Sequence, residues 1–202
     1  IITTPFSYVA TTSAIFWEGF TPIFADIESA SLCIDPIEVE KKITSKTKAI
    51  VATHVYGNPC AIEALERISE EHRIPLFFDA AHAFGSKHKG KSILEYGDIS
   101  VLSFHATKLF HSVNGGAVFC KSAEGKQRID RFRNFGHIAV NEFDGAGING
   151  KMCEFHSAMG LLNLEAAAEL ITKRRAQWDF YRKGIDGSEL KTISLRDEAG
   201  YN

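Results

Sequence analysis

The feature that most constrains this chain is a lysine placed just after a short apolar run. Residues 100–103 have the composition of a buried strand, and Lys108 follows a few residues later. A second glycine-bordered strand, residues 116–120, comes next. A lysine held partly out of water at a strand end is a usable nucleophile, because burial favours the neutral amine. An ordinary solvated loop lysine is the alternative.

A carboxylate stands at the end of another buried strand, where Asp79 follows residues 75–78. Strands alternate with helices along the chain, which predicts an α/β fold with a mainly parallel sheet sandwiched by helices. Ligands of such folds bind at the carboxyl ends of the strands, where Asp79 and Lys108 both lie. The pair fits a plain salt bridge. It also fits pyridoxal phosphate, with Lys108 bonded to the aldehyde and Asp79 paired with the pyridinium nitrogen.

Neighbouring residues suit the second interpretation. The alanines after Asp79 leave room for a flat ring, and His82, three residues beyond it, could contact that ring or be an ordinary packed histidine. Ser103, five residues before Lys108, could donate a hydrogen bond to the phosphate.

Composition argues against several other classes of protein. The chain has 202 residues and a formal net charge of −2 without a basic stripe, which disfavours nucleic-acid binding. No apolar run approaches the length of a membrane span. The scattered cysteines predict buried, reduced thiols in a cytoplasmic protein and no metal site. They are Cys33, Cys60, Cys120 and Cys153. Because the sequence starts inside a strand without an initiator Met, we expect it to be part of a longer polypeptide.

The pattern predicts these elements in order. Strands are expected near 1–4, 21–26, 48–53, 76–79, 98–103 and 116–120, and helices near 8–19, 35–43, 61–72, 123–134 and 154–181. Residues 86–92 are predicted to be a hairpin-like excursion, and 135–150 an irregular glycine-rich loop. The last helix is expected to group Met159, Leu162 and Ala166 on one face. We expect residues 1–181 to form a large domain and 182–202 to begin a small C-terminal one.

Several ordered motifs make the chain recognisable. They are TPFSYVAT (4–11), THVYGNP (53–59), DAAHA (79–83), SFHATK (103–108), GGAV (115–118) and NGKMCE (149–154). Together they resemble the DegT/DnrJ/EryC1/StrS family of pyridoxal-phosphate-dependent sugar-nucleotide aminotransferases, which have the type I aspartate aminotransferase fold. The resemblance runs from Ile1 to about Tyr181.

The resemblance implies a role for each matching residue. Lys108 is similar to the Schiff-base lysine that also shuttles the proton, and Asp79 to the pyridinium partner. Tyr8 matches an aromatic residue that stacks on the ring, although without the family match it could be simple core packing. His82 matches a ring contact and Ser103 a phosphate ligand. Asn149 matches an asparagine that reaches the phosphate of the neighbouring subunit, which implies a homodimer with a shared active site.

The family implies transfer of an amino group from glutamate to a nucleotide-linked keto-deoxysugar, most simply a 4-keto-6-deoxyhexose, for amino-sugar or polysaccharide synthesis. The alternative is a non-catalytic or regulatory relative that binds the cofactor or a sugar nucleotide. Dehydratase relatives replace the lysine with histidine, so Lys108 argues against them. The chain departs from the family at Val113 and Asn114, where Gly and an acid are usual, and at Gly150, where Tyr or Ala is usual.

Other signals are weaker. Residues 145–150 fit G-x-G-x-x-G, but residues 141–144 are a poor strand, which disfavours a dinucleotide site. The spacing of His54, His82 and His105 is too scattered to predict a metal site. Ser103 lacks the G-x-S-x-G elbow of a hydrolase.

Overall fold

A computed structural model describes residues 1–196 and has a six-stranded sheet at its centre. The strands are β1 (Ile2–Thr3), β2 (Ile23–Phe24), β3 (Ile50–Thr53), β4 (Leu76–Asp79), β5 (Lys87–His88), β6 (Lys91–Ser92), β7 (Ile99–Ser103), β8 (Gly116–Cys120), β9 (His137–Ala139) and β10 (Glu142–Phe143). The helices are α1 (Val9–Trp17), α2 (Pro36–Lys42), α3 (Ile62–His72), α4 (Ala123–Phe132) and α5 (Glu154–Ile185).

The central sheet has the strand order β2-β1-β3-β4-β7-β8. Its strands pair in parallel except for β8, which runs antiparallel to β7. The predicted mainly parallel sheet is therefore confirmed. β5 and β6 form a separate antiparallel hairpin, as expected for residues 86–92.

Helices cover both faces of this sheet. Phe78 is buried with the apolar side of α3, while Asp79, the next residue of β4, points to the opposite face and meets Thr11 of α1. The main core fills the first side. Its largest buried residues are Ile34, Val39, Ile50, Ile62, Leu65, Ile68, Leu76, Phe78 and Ile93.

Local signals explain where two of these helices begin and end. The Asp35 carboxylate accepts a hydrogen bond from the Ile37 N–H at 2.8 Å, and Pro36 occupies the first helical position of α2. Helix α3 buries Ile62, Leu65 and Ile68 on one side and ends where Arg73 adopts a left-handed conformation.

Residues 135–150 differ from the prediction of an irregular loop, because β9 and β10 pair there as a short antiparallel ribbon. The glycines of this segment allow backbones to touch. A Cβ added at Gly147 would lie 2.4 Å from the Gly136 nitrogen, and one at Gly136 would lie 2.2 Å from the Gly145 oxygen. Close packing at Gly147 and Gly150 and a positive φ at Gly145 therefore account for the G-x-G-x-x-G pattern.

Met159, Leu162 and Ala166 lie at helical spacing on one side of α5, as predicted, but that side is not buried in the described chain. Ala167 is buried, whereas Met159 and Leu162 are 37% and 65% exposed. In the first half of the helix the partly buried positions include Gly160 and Asn163, which allow the helix backbone to come close to its neighbours, and Ile171 packs near Gly85 in the second half.

Helix α5 also runs to Ile185, four residues beyond the predicted end. The chain then returns to the large domain, where the Asn58 side-chain amide donates to the Ser194 carbonyl at 2.9 Å and accepts from the Arg196 N–H at 2.7 Å. The division of the chain at residue 181 stays a prediction, and residues 197–202 lie outside the described part.

None of the four cysteines forms a disulfide. Cys33 and Cys60 are buried as expected, but Cys120 is only half-buried and Cys153 is exposed, because it caps the start of α5 at the surface. Within residues 1–196, no helix combines the length and the apolar character needed to cross a membrane.

Candidate active site

Asp79 ends β4 at the carboxyl edge of the sheet, and two donors fix its carboxylate. Oδ2 accepts a hydrogen bond from the Thr11 hydroxyl at 2.5 Å, and Oδ1 accepts one from the Ala81 N–H at 3.0 Å. The Asp79 carbonyl accepts from the His54 N–H at 2.9 Å, which ties this strand end to β3. The carboxylate is therefore held at one orientation by the protein itself.

Lys108 lies beyond the end of β7, the strand that pairs with β4. Its N–H donates to the His105 carbonyl at 2.9 Å, which closes a turn, and its side chain is half-buried. Within the described part of the chain, no ion pair joins Lys108 to Asp79. The plain salt bridge weighed from the sequence is therefore not formed.

His82 lies within electrostatic reach of both groups. Burial is the main cause that lowers the pKa of His82; the Lys108 ammonium lowers it further, and the Asp79 carboxylate raises it. The structure thus brings together three of the predicted site residues. With its pKa lowered, the ring is neutral near pH 7 and can both donate and accept a hydrogen bond.

An aromatic row borders this group. The rings of Tyr56 and His82 lie parallel, with centroids 6.3 Å apart, and Phe6 meets Tyr56 edge-on at 6.4 Å. Tyr56 has a φ of 54°, a strained value for a bulky residue and one that is common at functional sites. The sequence indicated only a turn here.

Tyr8 precedes α1 and is 75% exposed, so the alternative of core packing is wrong. Its carbonyl accepts from the Thr11 N–H at 3.2 Å, which places Tyr8 one turn before the residue that holds Asp79. Its ring is thus available to a ligand on the Asp79 side of the sheet.

Ser103 and Asn149 occupy different places. Ser103 ends β7, and its hydroxyl oxygen accepts from the His105 N–H at 3.3 Å, which leaves the hydroxyl proton for another acceptor. Asn149 lies in an exposed bridge to Asn134. Within residues 1–196, no hydrogen bond links Asn149 to Asp79 or Lys108.

His54 and Thr53, at the end of the neighbouring strand β3, lie next to Asp79. His54 is fully buried, and burial lowers its pKa to about 3, so the ring is neutral. Its Nδ1 accepts from the Cys60 N–H at 3.0 Å, and it stacks on Phe78. Thr53 is in register with Asp79, and its hydroxyl is buried without a hydrogen-bond partner in the described chain.

Thr11 is the functional residue that the sequence interpretation missed. It belongs to the motif at residues 4–11. The one hint of its role in the sequence is that its hydroxyl lies on the same side of an uncharged helix as the buried Ile15. The contact spans 68 positions along the chain, so local patterns could not reveal it.

These residues fit pyridoxal phosphate. A fixed carboxylate, a half-buried amine, a neutral imidazole near both and an exposed aromatic ring are the groups that such a cofactor needs. The Thr53 hydroxyl, in register with Asp79, has no hydrogen-bond partner within residues 1–196 and could bind a ligand at the same edge. The fold and these side chains define an α/β protein with a lysine–carboxylate site at the carboxyl ends of parallel strands.

Sequence comparison places this site in a known family. The chain belongs to the DegT/DnrJ/EryC1/StrS aminotransferase family, whose profile matches residues 1–200. It is 45% identical over 195 residues to a dTDP-4-amino-4,6-dideoxy-D-glucose transaminase of Shigella dysenteriae, covering 96% of this chain and 53% of that protein.

Solved structures agree. The chain is similar to Helicobacter pylori PseC, an aminotransferase of pseudoaminic acid biosynthesis, with a TM-score of 0.94 and 31% identity over 99% of this chain and 56% of that one. It is also similar to DesI, solved in the presence of its TDP-sugar product, with a TM-score of 0.88 and 36% identity over 99% of this chain and 52% of that one. The chain thus spans about half the length of the relatives it matches.

Proposed function

We propose that this chain is the cofactor-binding part of a pyridoxal-phosphate-dependent aminotransferase that moves an amino group from glutamate to a nucleotide-linked keto-deoxysugar. A 4-keto-6-deoxyhexose is the favoured acceptor, because the Shigella dysenteriae relative is named for a 4-amino-4,6-dideoxy sugar. We also propose that the protein works in the cytoplasm, in line with the absence of disulfides among its cysteines.

One observation supports the proposal above the others: Asp79 ends β4, and Lys108 follows β7, the strand that pairs with β4 in parallel, so both groups lie at the carboxyl edge of the sheet near His82. An amine and a carboxylate at one sheet edge are the two groups that would hold the aldehyde and the ring nitrogen of pyridoxal phosphate. The Thr11 bond fixes the orientation of the carboxylate there.

The protein side of the chemistry follows from these positions. When bound, pyridoxal phosphate supplies an electron sink that stabilises charge at the substrate carbon. The Asp79 carboxylate would hold a positive charge on the ring nitrogen. Lys108 Nζ would take the proton from the substrate carbon and later return it. Tyr8 would pack on one face of the ring, and Ser103 would donate its hydroxyl proton to the phosphate.

We propose a homodimer in which Asn149 serves the partner's site. Asn149 is exposed and makes no hydrogen bond to its own Asp79 or Lys108 within the described chain. Helix α1 supports the dimer, since it is uncharged and leaves Phe16 and Trp17 74% and 87% exposed. Exposed aromatic side chains next to each other at a helix end are typical of a surface that another copy or domain covers.

Mixing two inactive variants of the full-length protein tests this arrangement. Lys108→Ala and Asn149→Ala each spoil every site of their own dimers. In a mixed dimer one site receives both wild-type residues, so we expect activity to return on mixing and refolding together. No recovery would contradict a shared site.

The reaction itself is tested by its first half. The full-length protein with pyridoxal phosphate should show an absorbance band near ~420 nm that disappears with glutamate as 2-oxoglutarate forms. A panel of keto-sugars on dTDP, GDP and UDP should then restore the band. A band unchanged by glutamate would favour the alternative, a non-catalytic relative that only binds the cofactor or a sugar nucleotide.

A further inference from the structure

The loop that carries Lys108 is closed at its base by two backbone hydrogen bonds. The Phe104 N–H donates to the Gly115 carbonyl at 2.8 Å, and the Ser112 N–H donates to the Phe104 carbonyl at 3.0 Å. We call residues 104–115 the lysine loop. Its position relative to the sheet decides where the lysine nitrogen stands.

The underside of the lysine loop is anchored by aromatic packing. Leu109 and Phe110 are buried. Phe110 stacks on Phe84 with centroids 4.4 Å apart and meets Phe104 edge-on at 4.9 Å. These contacts fix the middle of the loop, and the buried Ser112 continues the anchored part, where its hydroxyl donates to the Asn114 carbonyl at 2.9 Å.

Helix α5 adds a side-chain contact to His111, in the second half of the loop. The Asn163 amide donates to the His111 carbonyl at 2.8 Å and lies 3.3 Å from the His111 Nδ1. The Val113 N–H also points to Nδ1, at 3.3 Å. Because both neighbours are donors, Nδ1 must be the acceptor, which places the ring proton on Nε2.

The backbone of α5 also comes close to the lysine loop near His111. A Cβ added at Gly160, one turn before Asn163, would lie 3.3 Å from the Ser112 Cβ. Gly160 therefore lets α5 lie directly on the loop, and Asn163 is then within hydrogen-bond reach of His111. The contact joins residues 52 positions apart in the sequence.

Val113 shows that the loop is held against a local preference. Its φ is 66°, in the left-handed region where a β-branched side chain is strained, and its side chain is 45% exposed and therefore weakly packed. Such a conformation persists only where surrounding contacts impose it. The hydrogen bonds around His111 are the contacts that stand next to it.

We propose that Asn163 is a positioning residue for Lys108. It holds the lysine loop in its observed conformation, which the strained backbone at Val113 would otherwise abandon. The part of this inference that concerns catalysis rests on the proposed function. Without the Asn163 amide the His111 carbonyl loses its donor, the backbone at Val113 relaxes, and the lysine loop that carries Lys108 is less well ordered.

The test uses the full-length protein without cofactor and measures hydrogen exchange of the peptide covering residues 104–116. Asn163→Ala should speed exchange of this peptide about five- to tenfold, because the strained backbone at Val113 is then no longer held in place. Asn163→Asp, which keeps the shape but replaces the donor with an acceptor, should do at least as much. Gln177→Ala removes an exposed amide from the same helix and should leave the peptide unchanged.

Repeating the experiment in the Val113→Gly variant distinguishes a positioning role of Asn163 from a general effect on stability. Val113→Gly relieves the left-handed strain, so adding Asn163→Ala to it should change loop exchange less than about twofold. The affinity for pyridoxal phosphate, measured by fluorescence titration, should fall with Asn163→Ala and recover in the double variant. Unchanged loop exchange in Asn163→Ala, or an equal increase in both backgrounds, would overturn the proposal.

Borohydride labelling of the wild-type protein with bound cofactor tests the proposed function separately from the positioning role of Asn163. If Lys108 takes no label, the proposed function and the catalytic part of this inference both fail, while the exchange experiment still decides whether Asn163 holds the loop. If Lys108 is labelled and the exchange is unaffected by Asn163→Ala, only the positioning role fails.

Discussion

Replacing Thr11 with valine removes one hydrogen bond to Asp79 while keeping the shape of the side chain. The bond is 2.5 Å long, and Thr11 is 8% exposed, so water replaces the lost hydroxyl poorly on that side. Asp79 would keep only the Ala81 N–H at 3.0 Å. A hydrogen bond to a charged group contributes about 1.5–3 kcal/mol to stability. Because Asp79 is only half-buried, we expect the lower end, about 1.5 kcal/mol.

A double-mutant cycle measures this value. The free energy of urea-induced unfolding is determined for the cofactor-free full-length protein, for Thr11→Val, for Asp79→Ala and for both together. The coupling energy between the two positions should be about 1.5 kcal/mol. Thr11→Ser keeps the hydroxyl and should retain most of it, and Thr12→Val, one residue away, should show none. A coupling energy below about 0.3 kcal/mol for Thr11 and Asp79 would refute the role assigned to Thr11.

Three further changes have expected outcomes. Asp79→Asn should keep cofactor binding in a spectroscopic titration but lose most of the rate of the glutamate half-reaction, because a neutral amide cannot hold the pyridinium charge. Burial lowers the pKa of His54 to about 3, so the unfolded chain binds a proton below pH ~6.5 that the folded chain does not. Stability present above that pH is therefore lost as the pH falls towards 3. Urea titrations should show about 2 kcal/mol of this loss between pH 7 and pH 5 in the wild type, which should disappear in His54→Gln; an equal pH dependence in both would contradict it. Gly147→Ala should destabilise the protein by more than about 2 kcal/mol, since its Cβ would meet the Gly136 nitrogen at 2.4 Å, whereas Gly184→Ala, with open space around it, should be neutral or stabilising by up to about 1 kcal/mol in thermal unfolding.

Elements with strong local signals were predictable from the sequence. Strands β4 and β8 have the predicted bounds, because each is a short apolar run between polar or glycine residues. Helix α2 begins at the expected cap, since the Asp35 carboxylate and Pro36 both specify its first turn. The alternation of these elements was enough to predict the parallel sheet.

The face of α5 was not predictable in the same way. The helix carries apolar residues on most sides, so its periodicity does not show which side packs inward. The grouping of Met159 and Leu162 did not reveal that Gly160 and Asn163 lie against the lysine loop, where they supply close approach and a hydrogen bond. Two-residue strands such as β10 likewise have too few positions to show an alternating pattern.

Some residues of the candidate site were predictable from the sequence and others were not. Asp79, His82 and Lys108 follow buried strands, and the sheet topology brings them to one edge. The Thr11–Asp79 and Asn163–His111 contacts join residues 68 and 52 positions apart, so they exist only once helices α1 and α5 have packed. The strained backbone at Tyr56 and Val113 is also set by surrounding structure rather than by residue type.

The central claim is that Lys108 is the amine that binds the cofactor, and a direct chemical measurement tests it. The full-length protein is incubated with pyridoxal phosphate, reduced with sodium borohydride, digested and analysed by mass spectrometry. We expect one pyridoxyl group per chain, attached to Lys108 Nζ, and none in Lys108→Ala. A label on another lysine in the wild-type protein, or no label at all, would contradict the account.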